Sequence, residues 1–246
     1  MKRTNYIVAN WKMNGNENSL AVVKSVLRHV QMKKKSSSKI VICPPFTVLN
    51  SFIKNAGKII DFGAQDAHHE NSGAFTGSIS SLMIKSLGAK FVILGHSERR
   101  QYQKETIYEL RKKINLALAN KLKVIFCIGE KFNEIKKRSI VLKKQLDSLP
   151  GKFSHKNIII AYEPVWSIGT GKTPSALEIN SVHKKIRNML FGKIGKESLS
   201  ISILYGGSVN PSNANDILNL TDVDGALVGG SSLKAKDFCK IIDSYN

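Results

Sequence analysis

An asparagine and a lysine, Asn10 and Lys12, close the first β-branched run of this 246-residue chain. His96-Ser97-Glu98 follows the run Phe91–Leu94, and Glu163-Pro164 follows Ile158–Ala161. These are the groups a proton-transfer centre needs. A carboxylate serves as base, an imidazole donates to a carbonyl oxygen, and an ammonium stabilises developing negative charge. Side chains alternate along an extended strand, so Asn10 and Lys12 share a face and Trp11 points away. His96 and Glu98 are expected to share a face in the same way. Proline restricts the residue before it toward extended backbone, which fixes the base at Glu163. One such residue alone reads as loop polarity, but three strand-end groups in one register point to a common site.

Three glycine-rich turns come late: Gly169-Thr170-Gly171-Lys172, Gly206-Gly207-Ser208 and Gly229-Gly230-Ser231. Glycine lets backbone N–H groups approach an anion closely. A nucleotide loop is excluded at the first of them. The P-loop pattern needs glycine where Trp166 stands, and a GxGxxG pattern needs it where Pro174 stands. A phosphate cradle after two consecutive late strands remains the better reading.

The elements that must position these groups recur with a steady rhythm. Apolar runs lie at 6–9, 40–43, 59–62, 91–94, 124–127, 158–161, 201–204 and 225–228. Most are continuous, as in strands buried on both faces. Amphipathic stretches predict helices from about Ser19 to Lys34, Glu105 to Asn120, and over 132–148, 175–190, 211–219 and 235–244. Pro174 and Pro211 suit helix starts. The segments after Pro45 and before Ser80 are less clearly helical. An alternating β/α pattern of this length predicts one domain, residues 1–246, folded as a (β/α)8 barrel, whose strand C-termini meet on one rim. An open doubly wound sheet would spread the same groups along an edge.

Composition narrows the class. Lys and Arg outnumber Asp and Glu by 38 to 18, a formal charge of +20. The lysines are scattered over helical stretches, and the one dense run, Lys33-Lys34-Lys35, sits at a helix C-terminus where cations suit the dipole. A solvated basic surface is expected, with no specific nucleic-acid partner. Three cysteines without a CxxC spacing argue against a disulfide framework or zinc ribbon. Cys43, Cys127 and Cys239 read as small core residues. His68 and His69 are adjacent and should point apart, a poor metal pair. His29, His155 and His183 read as surface. No apolar run has membrane-spanning length, so a cytoplasmic protein without metal or cofactor is expected.

Taken together, Asn10-Trp11-Lys12-Met13-Asn14, Gly95-His96-Ser97-Glu98-Arg99-Arg100, Ala161-Tyr162-Glu163-Pro164-Val165-Trp166, Tyr205-Gly206-Gly207-Ser208-Val209 and Gly225–Gly230 resemble the triosephosphate isomerase family along the whole chain. The resemblance implies a TIM barrel that interconverts dihydroxyacetone phosphate and D-glyceraldehyde 3-phosphate through an enediolate, in glycolysis and gluconeogenesis. It implies Glu163 as base, His96 as electrophile, kept neutral as in this family's type case, and Lys12 as the cation. Glu98 would orient Lys12 or assist proton movement, and Asn10 would fix the substrate. Ser97 would cap a short helix from Glu98. Residues 165–172 would form a lid, with Trp166 as anchor and Gly169 reaching the phosphate beside Ser208, Gly229 and Gly230. The loop Gln65–Ser80 would dock into the partner of a homodimer through Phe75 and Thr76. Ser78 departs from the family pattern, which places an acidic residue there to pair with the neighbour's equivalent of Arg99.

Two other classes stay open on the residues alone. A sugar-phosphate epimerase or aldolase would need a metal cluster or a Schiff-base lysine. A non-enzymatic nucleic-acid binder would draw on the net charge.

Overall fold

The β-branched runs close into a barrel. In this computed structural model, which describes residues 3–33, 38–57, 59–168 and 173–245, eight strands pair in parallel and in sequence order. They are β1 (Asn5–Asn10), β2 (Ser38–Cys43), β3 (Asp61–Ala64), β4 (Phe91–Leu94), β5 (Lys123–Ile128), β6 (Ile158–Tyr162), β7 (Ile203–Tyr205) and β8 (Gly225–Val228). β8 pairs with β1, in the register Ile7↔Ala226, so no strand edge is left open.

The strand period of two divides the core into two layers. Tyr6, Val8, Val41, Ile93, Ile125, Ile159, Leu204 and Leu227 fill the barrel interior. Their neighbours Ile7, Ala9, Ile42, Leu94, Val124 and Ile160 face outward against the helices. Each fully buried branched side chain contributes roughly 1.5–3 kcal/mol. One more inward step along β1 and β6, past Val8 and Ala161, reaches Asn10 and Glu163. The packing register therefore aims both at the C-terminal mouth.

The helices are α1 (Leu20–Met32), α2 (Phe46–Ala56), α3 (Ser81–Ser86), α4 (Ser97–Tyr102), α5 (Ile107–Ala119), α6 (Arg138–Leu146), α7 (Ala176–Ile194), α8 (Ala214–Leu218) and α9 (Ala235–Asp243). α5 starts in a capping box in which Thr106 and Glu109 satisfy each other's backbone N–H groups. α7 starts with the Ser175 hydroxyl accepting from the Glu178 N–H.

Several expected bounds shift. β3 lies at 61–64 rather than 59–62, and β7 at 203–205 rather than 201–204. The stretch 132–148 divides into a 3-10 turn, Phe132–Lys137, and α6. Pro211 falls in a turn, and α8 begins three residues later. No described helix is long and apolar enough to cross a membrane.

Candidate active site

At the C-terminal mouth a pocket of about 310 Å³ is lined by Asn10, Lys12, His96, Glu163, Ser208 and Gly230, among others. Strand ends far apart in sequence supply them. Asn10 ends β1 and is buried, and its Oδ1 accepts the Lys12 N–H at 3.1 Å. That bond fits a lysine held at φ +54, a backbone region that costs a non-glycine residue energy. Gln65 steadies the same turn, donating from Nε2 to the Lys12 carbonyl and to the Cys43 carbonyl, each at 2.9 Å. Lys12 Nζ reaches Glu98 Oε1 at 2.6 Å.

Beyond β4 the chain turns at Gly95, with φ +73, and α4 begins at once. The expected cap is corrected here. His96, not Ser97, is the N-cap, and its Nδ1 accepts the Glu98 N–H at 3.2 Å. An acceptor nitrogen carries no proton, so in a neutral ring the proton sits on Nε2. Nε2 faces the pocket, 3.2 Å from Glu163 Oε1. Glu98 therefore lies in the first turn of α4 and shares no strand face with His96.

Glu163 is 2% exposed. Its Oε2 accepts the Ser97 N–H at 3.0 Å. Oε1 sits close to His96 but is not aligned for a hydrogen bond, which leaves it free to accept. Behind the carboxylate lies Cys127, fully buried in the barrel. Burial first, and then the Glu163 charge, push its thiol well above the ordinary range, so it stays neutral. The backbone at Glu163 leaves no space for a side chain opposite. A Cβ on Gly129 would lie 1.7 Å from the Glu163 carbonyl oxygen, and one on Gly206 would lie 2.8 Å from Glu163 Cγ.

A second carboxylate builds the ground beneath the expected lid. Glu130, wholly buried, accepts on Oε1 from the Tyr162 hydroxyl at 3.0 Å, Trp166 Nε1 at 3.3 Å and Arg138 Nε at 2.8 Å. Its carbonyl takes the Val165 N–H. Arg138 also reaches Glu178 at 2.8 Å. The entry to the expected lid, at Val165 and Trp166, is thus fastened to β5, β6, α6 and α7. Residues 169–172, Gly169 among them, lie outside the described residues.

The floor opposite Glu163 has no side chains at Gly206, Gly207, Gly229 and Gly230. The two late turns are tied together, since Ser231 Oγ donates to the Val209 carbonyl at 3.0 Å. Asn213 Nδ2 holds the Ser208 carbonyl at 3.1 Å. A carboxylate, an imidazole N–H and an ammonium thus face a floor of backbone, an arrangement suited to moving a proton on a small anionic carbonyl compound.

The whole chain compares with known proteins in the same sense. A family model described as triosephosphate isomerase matches residues 5–245. The chain belongs to the triosephosphate isomerase family. It is 45% identical over 250 residues to a triosephosphate isomerase of Phocaeicola vulgatus, covering 99% of each chain. It is 45% identical over 246 residues to one of Alkaliphilus oremlandii, covering 96% of this chain and 98% of the other. The crystal structure of triosephosphate isomerase from Bartonella henselae superimposes with a TM-score of 0.90 at 39% identity, over 98% of both chains.

Within this triosephosphate isomerase fold, other expectations are revised. His68 and His69 do not point apart. Their rings stack with centroids 4.3 Å apart, and His68 packs on Phe75 at 4.3 Å. His183 is fully buried between Tyr162 and Tyr205, not on the surface. Cys239 is half-buried rather than buried. Arg99 meets a carboxylate of its own chain, Asp66, at 2.8 Å. Lys34 and Lys35 lie outside the described residues. Residue spacing does not mark the supporting contacts of Gln65, which directly follows β3, or of Glu130, which follows β5 after Gly129. For the Ser97 N–H no sequence signal exists, because a backbone donor has no residue type.

Proposed function

We propose that Glu163, His96 and Lys12 carry out the isomerisation of dihydroxyacetone phosphate and D-glyceraldehyde 3-phosphate. The Glu163 carboxylate takes a proton from the carbon beside the carbonyl. The electrons move into a carbon–carbon double bond, and the carbonyl oxygen becomes an enediolate oxygen. His96 Nε2–H donates to that oxygen, the neutral-imidazole role for which triosephosphate isomerase is the standing example. Lys12 offsets the developing charge and the phosphate, with Glu98 holding its ammonium and Asn10 ordering the loop. Nε2 passes its proton to that oxygen and takes the proton of the adjacent hydroxyl. The oxygen of that hydroxyl becomes the new carbonyl as Glu163 returns its proton to the former carbonyl carbon. No external acid, metal or cofactor is required for this balance.

The observation that supports this reading is a free Glu163 Oε1 3.2 Å from His96 Nε2, in one pocket with Lys12. Lys12 as a Schiff-base nucleophile is the weaker alternative, because its Nζ is held by Glu98 Oε1 at 2.6 Å rather than free to attack a carbonyl. The phosphate would rest on the backbone of Ser208, Gly229 and Gly230. Gly169 would reach it from a closing lid, a device for which this family is also a type case. Water kept off the enediolate would prevent loss of its phosphate group.

The same reading makes the chain one catalytic unit, cytoplasmic, and a homodimer through Gln65–Ser80. Phe75 there is 43% exposed, and Met13, Leu82, Met83 and Tyr102 add exposed apolar surface. A coupled assay interconverting the two triose phosphates tests the activity. Turnover in both directions without added metal is expected. A chain inactive in both directions, while folded, would reject it.

A further inference from the structure

The opposite end of the barrel holds a second feature that isomerisation does not use. A cavity of about 510 Å³ opens where β1 to β6 begin. Six lysines line it, Lys39, Lys85, Lys90, Lys121, Lys123 and Lys156, against one carboxylate, Asp61. Three of the ammonium groups are engaged. Lys90 pairs with Asp61 at 2.6 Å, Lys85 donates to the Lys121 carbonyl at 3.2 Å, and Lys123 donates to the Tyr6 hydroxyl at 2.9 Å and the His155 carbonyl at 3.0 Å. Lys39, Lys121 and Lys156 have no hydrogen bond or ion pair to their side chains among the described residues. Burial first, and then the charge of Lys39, bring the Lys123 ammonium down to about 8. Like charges are thus gathered around a concavity whose one lining carboxylate, Asp61, is already paired with Lys90.

We propose that this N-terminal mouth binds a compact oligophosphate, a short phosphate chain carrying several negative charges. The volume lies within the range of small-molecule sites, roughly 300–1,000 Å³. Lysines act as point charges on phosphate, and a concave cationic surface focuses their field. The walls favour a bare phosphate chain over a nucleotide or nucleic acid. The aromatic rings at the site, Tyr6 and Phe91, are buried at 2% and 5% exposure and offer no free face on which a base could stack. The cavity lies at the strand N-termini and the isomerase pocket at their C-termini, so the two sites are separate.

The test is calorimetric titration of the intact protein with sodium tripolyphosphate at low salt. Two triple variants carry the same loss of charge. K39Q/K121Q/K156Q removes the three unengaged ammonium groups of the mouth, and K24Q/K136Q/K144Q removes three exposed lysines elsewhere. Both should keep wild-type isomerase turnover, which verifies folding. Saturable one-to-one binding is expected, weakened at least about tenfold in the mouth variant and less than about threefold in the other. Equal weakening in both, or none in the mouth variant, would overturn the site, since binding would then be diffuse or at the isomerase pocket. ATP should bind no tighter than tripolyphosphate. ATP at least about tenfold tighter, or affinity growing with the length of an oligonucleotide, would overturn the assignment to a bare phosphate chain.

Discussion

Ser97 N–H holds Glu163 Oε2 at 3.0 Å, so the carboxylate proposed as base rests on the first turn of α4. On the proposed mechanism the length of this side chain decides where its oxygens meet a substrate carbon. Shortening it by one methylene in Glu163→Asp keeps the charge and moves the oxygens by about 1 Å, which costs on the order of 10²-fold in rate. The prediction is a kcat lowered by that amount in the coupled assay, with inorganic phosphate inhibiting as in the wild type. A kcat within about twofold of wild type would show that placement is unimportant.

The contact between Gly129 and Glu163 is just as specific. A Cβ on Gly129 would overlap the Glu163 carbonyl oxygen at 1.7 Å and carbon at 2.6 Å. Both atoms are backbone, so β5 and β6 must part. Gly129→Ala is expected to lose about 1–3 kcal/mol of stability and most of its turnover. Gly151, with nothing within 4 Å of an added Cβ, is the control and should accept alanine unchanged. Denaturant unfolding of both variants checks this, and equal stabilities would refute it.

His183 gives a pH dependence. Burial pushes its imidazole down to about 3, against weaker opposing contacts with the backbone of Asp222 and Ile203. Between its ordinary value of 6.5 and about 3, the unfolded chain binds a proton there and the folded chain does not. Stability therefore falls as pH falls through that window. His183→Leu removes this contribution. From pH 6.5 to pH 4 the variant should lose less stability than the wild type, by up to about 3 kcal/mol. Parallel unfolding slopes over that range would exclude it.

Assembly is a separate expectation. Arg99 is neutralised within its own chain by Asp66, so Ser78 in place of an acidic residue leaves no bare guanidinium at the loop. In the proposed dimer Phe75, 43% exposed, would then carry much of the apolar contact. Sedimentation at micromolar concentration should show a dimer, and Phe75→Ala should shift it toward monomer. A wild-type monomer would contradict the assembly.

Much of this was legible because burial on both faces writes continuous apolar runs. β4 and β8 coincide with those runs, β1, β5 and β6 extend them by one residue at one or both ends, and β2 begins two residues earlier. β3 was misplaced because its residues serve close packing. Gly63 stands where a Cβ would lie 2.8 Å from Cys43 Sγ, so the strand lacks a β-branched centre. At the start of the expected run before β7, the Ile201 carbonyl accepts from Arg187 at 3.0 Å. α3 and α4, six residues each, are too short to show a helical period. The charged members of the site could be read from residue type and strand-end position. What holds them could not: the Ser97 N–H is backbone, and Glu130 meets Trp166 and Arg138 only through the fold.

The base assignment is tested most directly by Glu163→Gln, which keeps shape and removes the basic oxygen. The coupled assay should show kcat reduced by about 10²–10⁴-fold, with the fold intact and inorganic phosphate still bound. A folded Glu163→Gln protein turning over within about tenfold of wild type would mean that another group takes the proton.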